Sequence, residues 1–328
     1  LWEVGHVSKL KLRGNINKHH FDILADPISA MPLIGITIEL RSTDRLDLSC
    51  LTEIKTLERL GLSQDHVSEK FIRAMMAQVS ILDLRYPVSH TDLKVISDSL
   101  RDNFSTVEIL TINNPVDLKD LGATLKSNTT LKSLMLLSKA AYFAEPIFRG
   151  LVDNQSLLKL HCKPNRRDIE LLSIMLRHNT MLESLTLSMD RMLVSYEASF
   201  EPLVVALANS KLTSLILVDD MSSVFMTSLL KALATNTTLI ELESYSIRGK
   251  LEIDAEILIN FLSQNTTLTK LELGNFKIRR PELLSALITN TTLTHVDQYS
   301  SPDILVQIAT RNRINKQRWD KTLFGMLT

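Results

Sequence analysis

Residues 265–273, Asn-Thr-Thr-Leu-Thr-Lys-Leu-Glu-Leu, carry the pattern that decides the fold. The pattern is apolar-x-x-apolar-x-apolar, and its last three positions alternate as expected for a short β-strand. It occurs twelve times in eleven steps that span 286 residues, so that the mean repeat is 26 residues. A fixed period of this length indicates a solenoid in which each copy contributes one strand of a parallel sheet. The first apolar residues of the copies are Val7, Leu33, Leu57, Val79, Val107, Leu131, Leu157, Leu182, Leu212, Leu239, Leu268 and Leu293.

Amphipathic segments connect the strands from the fifth copy onward. Residues 254–262 and 281–288 place apolar side chains three or four positions apart, which predicts helices with one buried face. An asparagine stands three residues before the next motif, where we expect it to close the helix in the left-handed conformation and to bond the turn backbone. The alternative is N-glycosylation of those asparagines that are followed, two residues later, by serine or threonine. The seven asparagines are Asn128, Asn154, Asn179, Asn209, Asn236, Asn265 and Asn290.

Composition and charge narrow the classes of protein. Among 328 residues, 37 Lys and Arg balance 37 Asp and Glu, so the net charge is zero. This balance predicts neither a nucleic-acid partner nor an anionic membrane partner. No apolar run approaches the roughly 18 residues of a membrane span, and the first residues show no signal-peptide core. Two cysteines are too few for a disulfide framework, so we predict a monomer in the reducing cytoplasm.

The unit of a helix followed by Asn-Thr-Thr-Leu-x-x-Leu-x-Leu resembles the ribonuclease-inhibitor type of leucine-rich repeat, over almost the whole chain. The resemblance implies an α/β fold, a right-handed horseshoe solenoid with parallel strands on the concave face and helices on the convex face. Similar repeats occur in cytosolic innate-immune receptors, tropomodulin-like actin regulators, activating proteins of the Ran GTPase and effectors of intracellular bacterial pathogens. The irregular N-terminal repeats look like those of the bacterial effectors.

The spacing of the motifs also suggests how the chain is organised. The steps between Leu33 and Val79 shorten to 24 and 22 residues, so full helices are not expected there, and Leu46-x-Leu48 offers a competing strand register. After the last motif we expect a cap that shields the final apolar face, with Trp319 among its apolar residues. We predict a single domain over 1–328, with irregular repeats over 1–106, regular repeats over 107–298 and a C-terminal cap over 299–328.

The sequence contains no pattern for catalysis or for cofactor binding. It has nine glycines and no glycine-rich phosphate loop. His19 and His20 are adjacent, so their side chains diverge on a helix and a metal site is not expected there. Cys162 occupies the third apolar position of its motif and is expected in the core, whereas Cys50 has no histidine nearby in sequence. We therefore predict a protein that is not an enzyme and has no cofactor and no metal site.

The outward-facing strand positions are the predicted binding surface, because they alternate with the buried ones. The first strand presents the basic residues Lys9, Lys11 and Arg13, whereas the tenth to twelfth strands combine acidic residues with tyrosines. Exposed apolar residues and tyrosines beside charges are the usual composition of a binding hot spot. The predicted partner-binding residues are Met135, Leu137, Ile216, Val218, Glu241, Glu243, Tyr245, Lys270, Glu272, His295, Asp297 and Tyr299.

These observations predict a non-catalytic scaffold that binds a protein partner on its concave face. The resemblance favours a bacterial effector that acts on a host protein and is secreted into the host cytosol. One alternative is a GTPase-activating protein of the Ran type, which would need an arginine at the rim able to reach a bound nucleotide. Another is a sensing or autoinhibitory repeat array that belongs to a larger receptor.

Overall fold

The computed structural model describes residues 8–14, 18–40, 47–63, 67–102, 104–115, 117–137, 144–189, 200–219, 222–245, 251–274, 276–277 and 290–296. The chain divides into two compact units, Leu1–Lys163 and Pro164–Thr328. Both consist of parallel strands that alternate with helices along the chain.

The first unit contains seven parallel strands whose order in the sheet is their order in the sequence. Each neighbouring pair aligns the second apolar residue of one motif with that of the next, as Leu110 aligns with Leu134. The strands are β1 Lys9–Gly14, β2 Gly35–Leu40, β3 Arg59–Leu62, β4 Ile81–Pro87, β5 Ile109–Asn113, β6 Ser133–Leu137 and β7 Lys159–Cys162.

The connections of the first unit change in type along the chain. Among the described residues between β2 and β3, a 3-10 helix, Ser49–Glu53, forms the connection, whereas α-helices follow the other strands as far as β6. Consecutive helices from α2 to α5 pack against one another. The α-helices are α1 Lys18–Ser29, α2 Glu69–Met76, α3 His90–Arg101, α4 Lys119–Leu125 and α5 Glu145–Leu151.

The second unit repeats this arrangement. Its parallel strands occur in the order β8, β9, β10, β12 and β14, while the short strands β11 and β13 pair separately. A 3-10 helix at Arg166–Asp168 precedes the first helix. The elements are α6 Ile169–His178, β8 Ser184–Met189, α7 Glu201–Asn209, β9 Ser214–Asp219, α8 Ser223–Leu233, β10 Glu241–Tyr245, β11 Leu251–Glu252, α9 Ala255–Gln264, β12 Lys270–Gly274, β13 Phe276–Lys277 and β14 His295–Val296.

The repeated apolar residues form the core of both units. Leu131, Leu134 and Leu136 are at most 1% exposed, and Leu268, Leu271 and Leu273 are at most 4% exposed. Full burial of one leucine contributes about 1.5–3 kcal/mol. The residues between them point away from this core, and we call the surface that they form the strand face. The predicted α/β leucine-rich-repeat solenoid is confirmed.

Polar side chains begin several of the helices. Ser68 accepts a hydrogen bond from the Phe71 amide, and Ser222 accepts one from the Phe225 amide. Ser89 and Asp92 form a reciprocal capping box at the start of α3. Each cap satisfies amide groups that have no partner within the helix. These short helices therefore have defined starting points between the strands.

The asparagines bond the turn backbone, as predicted, and also connect neighbouring repeats. Asn265 Oδ1 accepts hydrogen bonds from the Leu268 amide at 2.9 Å and the Thr267 amide at 3.1 Å. Its Nδ2 donates to Leu233 O at 2.9 Å and Asn236 O at 3.2 Å, both in the preceding repeat. The expected left-handed conformation is wrong, since Asn265 has φ −76° and ψ 120°. An extended backbone aims the amide at the turn and at the preceding repeat together.

One asparagine of the series differs. Asn209 is exposed, and its Nδ2 donates to Val205 O within its own helix at 2.8 Å. The next residue, Ser210, is the buried one, and its hydroxyl donates to Leu207 O. The equal spacing of the asparagines in the sequence therefore does not give them equal roles.

The N-terminal repeats differ from one another in the connections between their strands. The 3-10 helix Ser49–Glu53 stands where no full helix was expected, although the two-turn helix α2 fits within the 22-residue step. Leu48 is buried immediately before this 3-10 helix and is not in a strand, while Leu46 lies outside the described residues. The predicted cap over 299–328 also lies outside them. The single-domain organisation stays a prediction.

Candidate functional site

The strand face of the second unit brings most of the predicted binding residues together. Parallel pairing places Ile216 beside Glu243 and Glu243 beside Glu272. Two residues further along the same strands, Val218 lies beside Tyr245. We call this the β9–β14 surface, which consists of Ile216, Val218, Glu241, Glu243, Tyr245, Lys270, Glu272 and His295.

Two carboxylates form the centre of this surface. The Tyr245 hydroxyl lies 2.9 Å from Glu243 Oε2 and also within hydrogen-bonding distance of Glu272 Oε2, so its single proton is donated to one of them at a time. Lys270 Nζ forms ion pairs with Glu243 Oε1 and with Glu272 Oε1, the latter at 3.1 Å. His295 Nε2 lies 3.0 Å from Glu272 Oε1. Five side chains from three strands thus hold one another in place.

The network changes the protonation of its members. Burial disfavours the charged form of Glu272, but hydrogen bonds from Tyr245 and Lys270 outweigh this effect and lower its pKa. The pKa of Lys270 is raised, chiefly by its hydrogen bond to Glu243. The pKa of Tyr245 is raised by burial and by the two carboxylates, Glu272 before Glu243. Lys270 therefore stays charged and Tyr245 stays neutral at physiological pH.

Apolar surface lies directly beside the charges. Tyr245 is 37% exposed although its hydroxyl is held by the network. Ile216 and Val218 are half-buried on the neighbouring strand. Ser244, which occupies the third apolar position of its motif, is fully buried, and its hydroxyl has no hydrogen-bond partner among the described residues. The Tyr245 ring is held at its hydroxyl group and remains exposed to solvent, so it is suited to contact with another protein.

The remaining predicted residues have separate positions. Glu241 is half-buried, in register with Lys270, and forms no ion pair with a described residue. Asp297 and Tyr299 lie outside the described residues. Met135 and Leu137 belong to β6 of the first unit, where Met135 is 37% exposed and Leu137 is half-buried. They are thus neighbours of each other rather than part of the β9–β14 surface.

A second charged cluster lies on the strand face of the first unit, and it includes the predicted basic residues Lys11 and Arg13. Glu39 on β2 forms ion pairs with Lys11 Nζ at 2.8 Å, Arg13 Nε at 3.5 Å and Arg85 Nη1 at 3.5 Å. Arg85 also pairs with Asp83 at 2.7 Å. The hydrogen bond from Lys11 is the largest cause of the lowered pKa of Glu39. Glu39, Asp83 and Arg85 were missed, although all three occupy outward strand positions.

The two cysteines lie in different environments. Cys162 is fully buried in β7, so the prediction that it belongs to the core is confirmed. Cys50 is half-buried, and burial, followed by the charge of Asp47, raises the pKa of its thiol. A raised pKa disfavours the reactive thiolate. Within the described ranges, no three His, Cys, Asp or Glu side chains are grouped to hold a metal ion, and no helix is long and apolar enough to cross a membrane.

No protein-family model matches the sequence, and no curated protein matches it. Among solved structures, the chain is similar to leiomodin-1 actin-binding site 2, with a TM-score of 0.27 and 16% identity, over 72% of this chain and 98% of that one. It is also similar to a chain of the Toll–Spatzle complex of Drosophila, with a TM-score of 0.31 and 12% identity, over 88% of this chain. The similarity spans 46% of that chain. At these TM-scores the similarities carry no argument about function.

Proposed function

We propose that the chain is a non-catalytic leucine-rich-repeat scaffold that binds a protein partner through the β9–β14 surface. The observation that carries the proposal is the setting of Tyr245, whose hydroxyl is held by Glu243 and Glu272 while its ring remains exposed. A side chain fixed before binding loses little conformational entropy on binding. Ile216 and Val218 extend the apolar surface beside it.

Charged groups around this apolar surface give the site its specificity. Glu243 and Glu272 are largely buried, with side chains 10% and 16% exposed, and both form ion pairs with Lys270, whose single charge compensates only one of the two carboxylates. Glu241 adds a carboxylate that no described residue pairs. A partner must therefore match an apolar centre and an acidic edge together, which favours a folded protein surface over a small molecule.

The test is a pull-down with quantitative mass spectrometry, in which the native chain is compared with an Ile216→Ser, Val218→Ser variant. The matched control is Val205→Ser, Val224→Ser, which removes two exposed valines from helices α7 and α8 of the same unit. We expect a partner that the native chain and the control retain and that the strand-face variant loses. Equal retention by all three proteins would contradict the proposal.

We further propose that the partner is a host protein and that the chain acts as a bacterial effector in the host cytosol. The support is the resemblance of the N-terminal repeats to those effectors, and the 3-10 connection Ser49–Glu53 is one such irregularity. The same pull-down from eukaryotic and from bacterial lysate tests this setting. A partner found only in bacterial lysate would contradict it.

We also propose that the chain acts as a monomer and as one domain over residues 1–328. Light scattering coupled to gel filtration measures the first property. A single unfolding transition followed by both circular dichroism and tryptophan fluorescence measures the second. A stable dimer, or two separated transitions, would contradict these proposals individually without affecting the assignment of the binding surface.

A further inference from the structure

The strand face of β1–β4 in the first unit is basic, although the whole chain carries no net charge. Its outward positions hold five cations and two carboxylates, and an excess of two positive charges remains when the neighbouring Glu58 is included. The carboxylates, Glu39 and Asp83, are both engaged with Arg85. The cations are Lys9, Lys11, Arg13, Arg59 and Arg85.

Two of these cations have no carboxylate partner in the part of the chain that the structure describes. Lys9 and Arg59 are exposed, and neither forms an ion pair with a described residue. They lie on β1 and β3, in register with Gly35 on the strand between them. Strands two positions apart are separated by about 10 Å. Two long cationic side chains can converge on one carboxylate across that distance.

Gly35 lies between the side chains of these two cations. A Cβ atom added at Gly35 would lie 3.6 Å from Arg59 Cβ and 3.7 Å from Lys9 Cγ. The side chains of Lys9 and Arg59 thus flank the glycine on both sides. Because glycine has no side chain, β2 places no side chain between them at this position.

Glu39 shows how this surface binds a carboxylate. It lies four residues after Gly35 on the same face of the same strand. Cations from β1 and from β4 hold it from both sides, as Lys11 does at 2.8 Å and Arg85 at 3.5 Å. A similar arrangement occurs around Gly35, where β1 and β3 supply the cations and no described carboxylate forms an ion pair with them.

We propose that Lys9 and Arg59, on either side of Gly35, bind a carboxylate side chain from an acidic segment of a partner protein. This inference does not depend on the β9–β14 surface. An acidic peptide fits better than a nucleic acid because none of the described outward positions of β1–β4 is an aromatic residue on which a base could stack.

The experiment measures the fluorescence anisotropy of a dye-labelled octaglutamate peptide during titration with the full chain. Gly35→Asp places a carboxylate between Lys9 and Arg59 without removing either cation, and we expect it to weaken binding roughly tenfold. Gly35→Ala is the matched control, since its methyl group makes only ordinary contacts, and we expect a change below about twofold. An equal effect of both substitutions would overturn the proposal.

A second pair of variants keeps the test valid if Gly35→Asp does not fold. We expect Lys9→Ser, Arg59→Ser to weaken octaglutamate binding by roughly tenfold or more. The control Lys70→Ser, Arg73→Ser removes the same charge from exposed positions of α2 and should change binding less than about twofold. Equal losses of affinity in the two double variants would mean that binding depends only on the overall charge, and would overturn the proposal.

Two further results would also overturn it. One is no measurable binding of octaglutamate by the native chain at about 0.05 M salt, where ionic contacts are weakly screened. The other is binding of an eight-nucleotide oligothymidylate as tight as that of octaglutamate and equally sensitive to Gly35→Asp. The Ile216→Ser, Val218→Ser variant should bind octaglutamate normally, so failure of this inference and failure of the proposed function are distinguishable.

Discussion

The repeats that contain β2–β5 and those from β6 onward have the same strand core but different turns. In the first group, different residue types form the hydrogen bonds that connect each turn to the preceding repeat. Thr56 donates its hydroxyl to Leu33 O, and Gln78 donates its side-chain amide to Ile54 O. In the second group, except at Asn209, an asparagine accepts from the amide of the first apolar residue of the next motif and, in most repeats, donates to a carbonyl of the preceding repeat. The comparison shows that the apolar motif alone sets the strand register, whereas the asparagine adds polar connections between repeats.

The largest expected effect tests whether the two groups share one kind of core. Leu60 in β3 is fully buried and Leu271 in β12 is 4% exposed, and both occupy the second apolar position of their motif. We expect Leu60→Ala and Leu271→Ala each to lower the free energy of unfolding by about 2–5 kcal/mol. Urea unfolding followed by circular dichroism measures both. A loss below about 0.5 kcal/mol in either variant would contradict the assigned register.

A smaller effect separates the asparagines themselves. Asn265 is buried and satisfies groups of two repeats, so Asn265→Ala leaves buried amide and carbonyl groups without partners. We expect a loss of about 1–3 kcal/mol in the free energy of unfolding. Asn209→Ala is the matched control at the same position of its repeat, and because Asn209 is exposed we expect a change below about 0.5 kcal/mol.

Urea unfolding of the two asparagine variants beside the native chain gives both values. Equal losses would mean that spacing in the sequence alone decides the role of these residues. A larger loss for Asn209→Ala would reverse the comparison. The buried Ser210 next to Asn209 makes either result unexpected.

The smallest expected effect concerns acid stability. The pKa of Glu272 is lower in the folded chain than its ordinary value of 4.5. The ionised carboxylate therefore stabilises the fold above pH 4.5, and this stabilisation is lost as the pH falls through the pKa of the folded state. We expect Glu272→Gln to reduce the acid-induced loss of stability by less than about 1 kcal/mol, since solvent screens the network. Urea midpoints at pH 7 and at about pH 3 measure the difference.

Glu39 provides the corresponding test in the first group of repeats. Its pKa is also lowered, with Lys11 as the largest cause. Glu39→Gln should therefore change acid stability in the same direction as Glu272→Gln. An increase in acid sensitivity in either variant would contradict the direction of the pKa shift.

The candidate surface was only partly predictable. Alternation along a strand identifies Glu243, Tyr245, Lys270 and Glu272 as outward-facing, and the structure places them together. The ion pairs and hydrogen bonds among them were not predicted, because Lys270 and Glu243 are 27 residues apart in the sequence. The sequence alone suggested an acidic surface, whereas the structure shows carboxylates that are engaged with Lys270 and Tyr245.

The strands that carry the repeated motif, their parallel order and their buried face follow from the repeat in the sequence. The physical reason is that apolar periodicity is local, and a repeat of 26 residues leaves each strand only its neighbours to pair with. The pairing of charges, the difference between Asn209 and Asn265, and the position of Lys9 and Arg59 on either side of Gly35 are visible only in the folded structure. These features depend on distances between side chains of different repeats, which a pattern within one repeat does not contain.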